Sequence, residues 1–579
     1  MCGIFFSSNL DLDNNYLLSL QNHRGPDAFN HTILEGKYFI GQNRLSILDL
    51  DGGVQPVISA DNRYAMSYNG EVYNYIELSR EYLNDVNPSG DTAVIIRLFE
   101  KYGPDIVKKF IGMFAIILFD RLDNKVYLIR DHFGIKPIYF TQIGCHIAAS
   151  SEPKVLFKWR KLSGLILEFR DELLSEYFHF RTVTGRNTFV KDVFKVLPSE
   201  IVEVKLDSLS GMSFQTFQPE VKDISFTKDF DSIVKMHTRS DVPYGVFLSG
   251  GIDSTIVSCS LPKGSVAFTV KSASPELDET RYARTVSDKL SLDLEILDIE
   301  GESIRDLIRE FAYFNDDPVS DPSAIGLYSI CKLVGKKGFK VVLAGEGADE
   351  LFYGYGAHMR YMLLTRFKKI APKFVIDLLF RRLRIDRTFE DYADYSKFMG
   401  SAHLSSKSDK KSIILSIDKV EDFYKQFLGQ RKSVSDELKV DRLNRLAYDI
   451  LMRSDRASMA CGVEIRTPFL TQDVEAFADN LELGKKLSIF KLTGKLFLKD
   501  IVAVLFGRKF AFRRKRGFDM DVEQWRKSLS SDTLRFCQLK RIPDLNYDFI
   551  STEDFQNNAA LFWAWVTLEF WYENHFLKD

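Results

Sequence analysis

The chain contains 579 residues, of which 45% are hydrophobic and 27% are charged, and its formal net charge is -2 at pH 7. This length predicts two to four domains with cores of their own, and the near-neutral charge gives no indication of nucleic-acid binding. The sequence has no uncharged apolar run of about 18 residues, so we expect no membrane span, and the polar N-terminal region does not have the pattern of a signal peptide.

Six cysteines are scattered without a CxxC pair, so we expect reduced thiols, no zinc site and a cytoplasmic protein. The first of them, Cys2, would become the N-terminal residue if Met1 were removed. Its α-amino group, with an ordinary pKa of about 7.7–8, could then accept the proton of its own thiol. A cysteine beside a start methionine also occurs by chance, so this position alone does not establish a nucleophile.

Short blocks with the pattern of strands and turns follow Cys2. They are HRGPD at 23–27, RLSILD at 44–49, YNGEVYN at 68–74, GMFAIILFD at 112–120, VYLIRD at 126–131, RDHFGIKP at 130–137 and IAASSE at 147–152. A helix is predicted to begin at Asp91. Many short apolar runs with few helices predict stacked sheets with helices outside them.

In this order, MCGI, HRGPD, RLSILD, YNGEVYN, GMFAIILFD and RDHFGIKP resemble the N-terminal-nucleophile glutamine amidotransferase domain of the asparagine synthetase family. The resemblance implies a four-layer αββα sandwich in which Cys2 is the nucleophile. It also implies that the Asn69 side chain and the Gly70 N–H form an oxyanion hole.

The resemblance further implies a binding site for glutamine. The implied residues are Arg44, Leu45, Ser46, Ile47, Leu48, Asn69, Gly70, Glu71 and Asp91. Arg44 would hold the α-carboxylate, because a guanidinium can bind a carboxylate through two hydrogen bonds. Glu71 and Asp91 would hold the α-amino group.

Between about 155 and 225 the strand pattern weakens. Short strands are predicted within 197–204 and at 214–215, and Pro198-Ser199 stands where the resembled family usually has Pro-Gly. Serine and glycine cluster near 210–220. We therefore predict a glutaminase domain over 1–210 and an ATP-dependent synthetase-type domain over 211–579.

The second domain is organised around an apolar run at 245–248, the segment SGGIDS at 249–254 and a second apolar run. This pattern predicts a strand, a loop and a helix, and glycines before a helix N-terminus favour an anionic ligand. No lysine follows the glycines, so the loop is not the common Gly-Lys-Ser/Thr phosphate loop. It resembles the pyrophosphate loop of enzymes that split ATP into AMP and pyrophosphate, and an ordinary Gly-Ser turn is the alternative.

Further strands are predicted at 266–270, 294–297 and 341–343, with a helix starting near Glu279. Alternating strands and helices predict a parallel sheet that binds ligands at the carboxyl ends of its strands. The segment AGEGADELF at 344–352 resembles the family's SGEGADELF. The residues implied to bind ATP are Leu248, Ser249, Gly250, Gly251, Asp253, Ser254, Val270, Ala344 and Gly345. The resemblance also makes Glu346 catalytic and makes Asp253 and Asp349 ligands of Mg²⁺.

Two later segments extend the resemblance. Residues 455–470 match the family's DRxSMAxxxExRxPFL pattern, and RRKRGF at 513–518 matches a basic segment that closes over the nucleotide. Lys515 would neutralise charge on the α-phosphate, with a basic surface loop as the alternative. Ala344, Tyr353 and Thr471 depart from the family pattern.

The resemblance covers nearly the whole chain and implies glutamine-dependent, ATP-dependent amidation of a carboxylate through an acyl-adenylate. Aspartate is the expected acceptor, giving asparagine, glutamate, AMP and pyrophosphate. A sugar uronate, closure of a β-lactam ring and a non-catalytic regulatory role are the alternatives. The implied cofactors and partners are ATP, Mg²⁺, glutamine and the acceptor. The resemblance allows a homodimer and implies a passage for ammonia between the domains.

Overall fold

The structure is a computed structural model that describes residues 2–207, 211–271, 278–298, 304–355, 442–488, 491, 493–513, 542, 545 and 558–577. Lys515 lies outside these ranges. Within them, no helix has both the length and the apolar character needed to cross a membrane.

The N-terminal half is built on two antiparallel sheets. Its strands are β1 Cys2–Ser7, β2 Ala28–Leu34, β3 Tyr38–Arg44, β4 Val57–Ile58, β5 Tyr64–Val72, β6 Gly112–Asp120, β7 Lys125–Arg130, β8 Tyr139–Ile143, β9 His146–Ser150, β10 Val193–Lys195, β11 Glu200–Lys205 and β12 Met212–Thr216. One sheet has the strand order β10-β8-β9-β1-β3-β2, and the other has the order β12-β11-β7-β6-β5-β4.

Helices cover the outer faces of both sheets. They are α1 Asn14–Ser19, α2 Tyr75–Leu83, α3 Asp91–Tyr102, α4 Pro153–Leu162 and α5 Leu174–Phe180, with 3-10 turns at Asn22–Arg24, Pro104–Lys109 and Asp171–Leu173. Side chains alternate along β6, so that Ile117 and Phe119 pack between the sheets, whereas Ile116 and Leu118 pack with α2 and α3. On the opposite side, α1 and α4 pack against β1 and β3. The predicted αββα sandwich is confirmed.

Strand β12 bears on the domain division. It pairs with β11 from Glu200↔Thr216 to Val204↔Met212, so the N-terminal sheet continues past residue 210. The division at 210/211 stays a prediction, and this pairing favours a boundary after Thr216.

The C-terminal half contains a parallel sheet. Its strands are β13 Tyr244–Phe247, β14 Val266–Lys271, β15 Asp293–Asp298, β16 Val341–Leu343 and β17 Glu464–Arg466, and the helices that alternate with them are α6 Phe226–His237, α7 Ile252–Cys259, α8 Thr280–Leu290, α9 Ile304–Phe314, α10 Ser323–Lys336 and α11 Ala348–Leu351. The order is β15-β14-β13-β16-β17, and every pair is parallel. The predicted strands and their parallel arrangement are confirmed.

The remaining described elements pack around this sheet. They are a π-helical segment Arg442–Ile450, α12 Leu451–Met459, α13 Gln472–Asn480, α14 Leu483–Lys486, β18 Leu487–Ser488, β19 Thr493–Gly494, α15 Leu496–Phe506, α16 Arg508–Ala511, α17 Ala559–Tyr572 and a π-helical segment Glu573–Leu577. Helix α17 is buried along most of its length, and the Tyr177 hydroxyl of the N-terminal half donates to its Ala564 carbonyl at 2.9 Å.

The strand order fixes where a ligand can bind. From β13 the chain adds β14 and β15 on one side and then β16 and β17 on the other. The order therefore reverses between β13 and β16, and such reversals open a crevice at the carboxyl ends of the strands. Both predicted glycine loops, at 248–251 and 344–347, begin at this crevice.

Candidate active sites

Cys2 is buried at the start of β1, between the two antiparallel sheets. Its backbone N–H donates to Asn69 Oδ1 at 2.9 Å. Burial raises the pKa of the Cys2 thiol, while the nearby chain N-terminus, a backbone hydrogen bond from Leu45 and the Arg44 guanidinium act in the opposite direction. A thiolate here therefore needs a base close by, and the α-amino group of Cys2 would lie next to the thiol.

Asn69 and Gly70 belong to β5 and lie beside Cys2, the first residue of β1. The Asn69 Nδ2 group is buried and makes no hydrogen bond with any described residue. A buried donor without an acceptor is costly, so this amide is suited to an oxyanion that forms during a reaction. Gly70 has a φ of 149°, and a Cβ atom there would lie 2.0 Å from the Met113 carbonyl oxygen. Only glycine fits this turn of the strand.

Arg44 stands opposite Cys2 in the pairing of β1 with β3. Its guanidinium donates to the carbonyl oxygens of Leu50 at 2.8 Å and Asp49 at 2.6 Å. These bonds fix the guanidinium against the loop that follows β3. Four residues of the predicted glutamine site lie in or beside this loop: Leu45 and Ile47 are buried, and Ser46 and Leu48 are partly exposed.

Two carboxylates complete the group around Cys2. Asp91, at the start of α3, accepts hydrogen bonds from the Tyr68 hydroxyl at 2.8 Å and the Val72 N–H at 3.2 Å. Glu71 forms an ion pair with Arg466 Nη2 at 3.2 Å. Burial raises the pKa of both carboxyls, and Asp91 raises that of Glu71 further. Neighbouring buried carboxyls favour a cation between them, as the α-ammonium of an amino acid would be.

The second site begins where β13 ends. The loop at 248–251 leads directly into α7, where Gly250 has a φ of 70° and a Cβ atom would lie 2.6 Å from the Tyr282 carbonyl carbon. The Ser249 hydroxyl accepts from the Gly251 N–H at 3.2 Å and lies 3.2 Å from the Ser254 hydroxyl. A glycine turn, two hydroxyls and a helix N-terminus together form a cradle for phosphate groups.

The loop at 344–347, after β16, touches this cradle. A Cβ atom on Gly345 would lie 2.7 Å from the Asp253 carbonyl carbon, so the two loops pack backbone to backbone. Glu346 Oε1 accepts from the Ser454 hydroxyl at 2.7 Å, whereas its enclosed Oε2 has no hydrogen-bond partner among the described residues. Burial raises the pKa of Glu346. Val270 lies near the end of β14, the strand beside β13.

Lys495 joins the first turns of α7 and α11, the helices that follow the two loops, and the sequence analysis did not single it out. Its Nζ atom lies 2.6 Å from Asp253 Oδ1 and 2.6 Å from Asp349 Oδ1. The residue has a φ of 54° immediately before α15, and a Cβ atom on Gly354 would lie 2.4 Å from its Cε. Lys495 is thus a buried cation of this site, while the predicted lysine, Lys515, lies outside the described residues.

The donor set at Asp253 and Asp349 can be compared with the needs of Mg²⁺. The described residues contain no group of three or more His, Cys, Asp or Glu side chains that could hold a metal ion. Mg²⁺ commonly takes one or two protein carboxylates, with substrate phosphates and water completing its shell. Asp253 and Asp349 both pair with Lys495, so Mg²⁺ bound together with a nucleotide would share these two carboxylates with the lysine.

Comparison with known proteins matches the two halves to two family models. Residues 1–216 match the glutamine amidotransferase domain model, and residues 225–563 match the asparagine synthase model. The chain is also 31% identical over 552 residues to asparagine synthetase [glutamine-hydrolyzing] 1 of Bacillus subtilis, covering 89% of this chain and 84% of that protein. The chain belongs to the asparagine synthase family.

Other members of the family differ in how fully they match. A putative asparagine synthetase of Mycobacterium bovis is 27% identical over 553 residues, covering 87% of this chain and 83% of that protein. The amidase chyE of Penicillium rubens is 29% identical over 378 residues, covering 59% of this chain and 54% of that protein. The two family models and the B. subtilis relative confirm the family membership that the motifs predicted.

Proposed function

We propose that this protein is a glutamine-hydrolysing ligase that uses ATP to amidate a carboxylate. The observation that carries the proposal is the meeting of Asp253, Asp349 and Lys495 at the starts of the helices that follow two glycine loops. The phosphate cradle at the start of α7 lies beside these charges, and the same chain carries a buried Cys2 beside an amide donor, Asn69 Nδ2, that has no hydrogen-bond partner among the described residues. Membership in the asparagine synthase family supports the use of ATP.

In the first site, the α-amino group of Cys2 accepts the proton of the Cys2 thiol, and the resulting thiolate attacks the side-chain amide carbon of glutamine. Asn69 Nδ2 and the Gly70 N–H would stabilise the tetrahedral oxyanion. The α-ammonium group returns the proton to the leaving nitrogen, so that ammonia departs and a thioester remains. Water then hydrolyses the thioester to glutamate and free thiol.

In the second site, an acceptor carboxylate oxygen attacks the α-phosphorus of ATP, and pyrophosphate leaves into the loop at 248–251. Lys495 would balance the charge that develops on the α-phosphate. Bound Mg²⁺, held through Asp253 and Asp349, would supply further positive charge to the phosphates. Ammonia then attacks the acyl carbon of the adenylate, AMP leaves, and Glu346 Oε2, which has no hydrogen-bond partner among the described residues, would take the surplus proton.

The two reactions need ammonia to move between the sites without meeting bulk water, where most of it would be protonated. An apolar cluster of Leu45 and Ile47 from the loop after β3, Val341 from β16 and Met459 from α12 lies between the domains. We propose that ammonia passes beside this cluster, because apolar walls favour the neutral molecule over ammonium.

Aspartate is the acceptor that we propose, which would place the enzyme in amino-acid biosynthesis. A sugar uronate is the second candidate, favoured by the departures at Ala344, Tyr353 and Thr471. Glutamine-dependent pyrophosphate release, measured with a panel of acids, tests both. Saturable release with aspartate that yields asparagine supports the proposal, whereas release with a uronate alone would move the function to polysaccharide modification.

We expect the active protein to begin at Cys2. A peptide bond to Met1 would remove the basic lone pair from the Cys2 nitrogen, and the raised pKa of the thiol makes a nearby base necessary. Intact-mass measurement of purified enzyme should therefore show loss of Met1. Full glutaminase activity from protein that retains Met1 would contradict this role of the α-amino group.

A further inference from the structure

Arg466 belongs to the parallel sheet by sequence position but contacts the glutamine pocket of the other domain. It is the last residue of β17, at the edge of the parallel sheet. Its side chain is 0% exposed, and its Nη2 atom lies 3.2 Å from Glu71 Oε1. Glu71 follows Gly70 on β5, in the group of residues around Cys2.

The guanidinium is held from several directions. Its Nε group lies 2.5 Å from Glu464 Oε1 on the same strand. Its Nη1 group donates to the carbonyl oxygens of His237 at 2.9 Å and Arg239 at 2.6 Å, where α6 ends. Bonds to Glu464 on β17 and to the end of α6 therefore hold the guanidinium beside Glu71. It cannot move away from Glu71 without breaking them.

Glu71 lies among several ionisable groups. The carboxyls of Asp91 and Glu464 and the hydroxyls of Tyr68 and Tyr73 lie near it, and among the described residues Arg466 supplies positive charge to it. Burial and Asp91 raise its pKa, and Arg466 lowers it. Glu71 must be ionised to bind the α-ammonium group of glutamine through charge.

We propose that Arg466 is a positioning residue of the glutamine pocket, which keeps Glu71 oriented and ionised so that it can bind the amino end of the substrate. This inference rests on the proposed glutaminase function.

The same residue also reaches the nucleotide side. The Arg466 carbonyl oxygen accepts a hydrogen bond from the Ala344 N–H at 2.8 Å, at the start of the second glycine loop. One residue of β17 therefore contacts both sites, through its side chain on one and its backbone on the other. A side-chain substitution keeps the backbone bond available, so the two contacts can be tested separately.

The test compares Arg466→Met with the wild-type enzyme. Losing a charge-assisted contact that acts on bound substrate and transition state alike should raise KM for glutamine by about tenfold to a hundredfold and leave kcat nearly unchanged. Lys195→Met is the matched control, because it breaks another buried ion pair between the domains, Lys195–Asp317 at 3.0 Å, away from Cys2. The control should keep the wild-type KM for glutamine.

The pH dependence of KM separates this role from a structural one. Without Arg466 the pKa of Glu71 rises further, so more of the carboxyl is protonated at neutral pH. The KM of Arg466→Met should therefore fall as pH is raised, while the wild-type KM stays nearly constant. Arg466→Lys retains the charge but loses the fork of hydrogen bonds, and it should restore much of the affinity.

Three results decide whether Arg466 has this positioning role. In each variant, synthesis from ammonia shows that the synthetase domain is folded. If the KM of Arg466→Met for glutamine equals that of the wild type and does not change with pH, the positioning role is overturned. The proposed glutaminase function would still stand, because glutamine is still hydrolysed. If Arg466→Met does not fold, Arg466→Lys decides: a KM for glutamine above the wild-type value, with that of Lys195→Met unchanged, supports the role, and a KM equal to the wild-type value overturns it. A wild-type enzyme that hydrolyses no glutamine would overturn the proposed function and this inference with it.

Discussion

Replacing Cys2 by alanine should reduce glutamine-dependent synthesis by at least about 10³-fold, because the substitution removes the nucleophile on which glutamine hydrolysis depends. Synthesis from ammonium salts at mildly alkaline pH should continue, since neutral ammonia can reach the adenylate without the first site. Cys2 lies between the antiparallel sheets, and the nucleotide cradle lies at the crevice of the parallel sheet. Product formation from each nitrogen source is the measurement.

Cys145→Ala is the matched control for thiol loss, because Cys145 is exposed between β8 and β9. It should support synthesis from both nitrogen sources at wild-type rates. Retained glutamine-dependent synthesis in Cys2→Ala would mean that the N-terminal domain is not the source of nitrogen. Loss of synthesis from ammonia as well would point to damage that reaches the second site.

The local pattern of the sequence was sufficient to predict most of the fold. The apolar run at 112–120 predicted β6 as a buried strand, and the structure buries its two faces in different layers. The apolar run at 245–248 followed by glycines predicted β13, the phosphate loop and α7. These features depend on neighbours in the chain, and sequence periodicity reports such neighbours directly.

Contacts between distant segments could not be predicted in this way. Lys495 meets Asp253 across 242 residues of chain, and Arg466 meets Glu71 across the domain interface. Lys495 stands in a segment with an ordinary local pattern, and the family pattern that contains Arg466 does not indicate which side chain Arg466 meets. Which side chains meet is decided by the order of strands in the sheet, and this order is not encoded in local periodicity.

Lys515 illustrates the same limit. A basic cluster at 513–516 and the family resemblance favoured it as the cation of the nucleotide site. Lys495 has one basic neighbour within four residues on each side, so charge density alone does not indicate it. The glycine before it, Gly494, is the signal in the sequence that could have drawn attention to this turn. In the structure a Cβ atom on Gly494 would lie 1.8 Å from the Tyr353 carbonyl oxygen, so the turn requires glycine.

Replacing Lys495 by methionine should lower acceptor-dependent pyrophosphate release by about 10²–10³-fold, the usual cost of removing one well-placed charge from a developing oxyanion. The side chain lies between Asp253 and Asp349, each 2.6 Å from its ammonium group, so its loss also leaves two carboxylates facing each other. Glutamine hydrolysis at Cys2 should survive, because that site lies in the other domain. Pyrophosphate release and glutamate formation, measured on the same preparation, give the two rates.

Lys491→Met is the matched control, because Lys491 is exposed four positions earlier in the chain. The pyrophosphate release of this variant should equal that of the wild type.

Lys515→Met tests whether a second lysine also serves the α-phosphate. If both Lys495→Met and Lys515→Met lose adenylation, two cations serve the α-phosphate; if Lys495→Met alone loses it, the buried lysine is sufficient. Unimpaired pyrophosphate release in Lys495→Met would refute its role, because a cation that bridges both carboxylates of a phosphate site cannot be removed without effect if the nucleotide binds there.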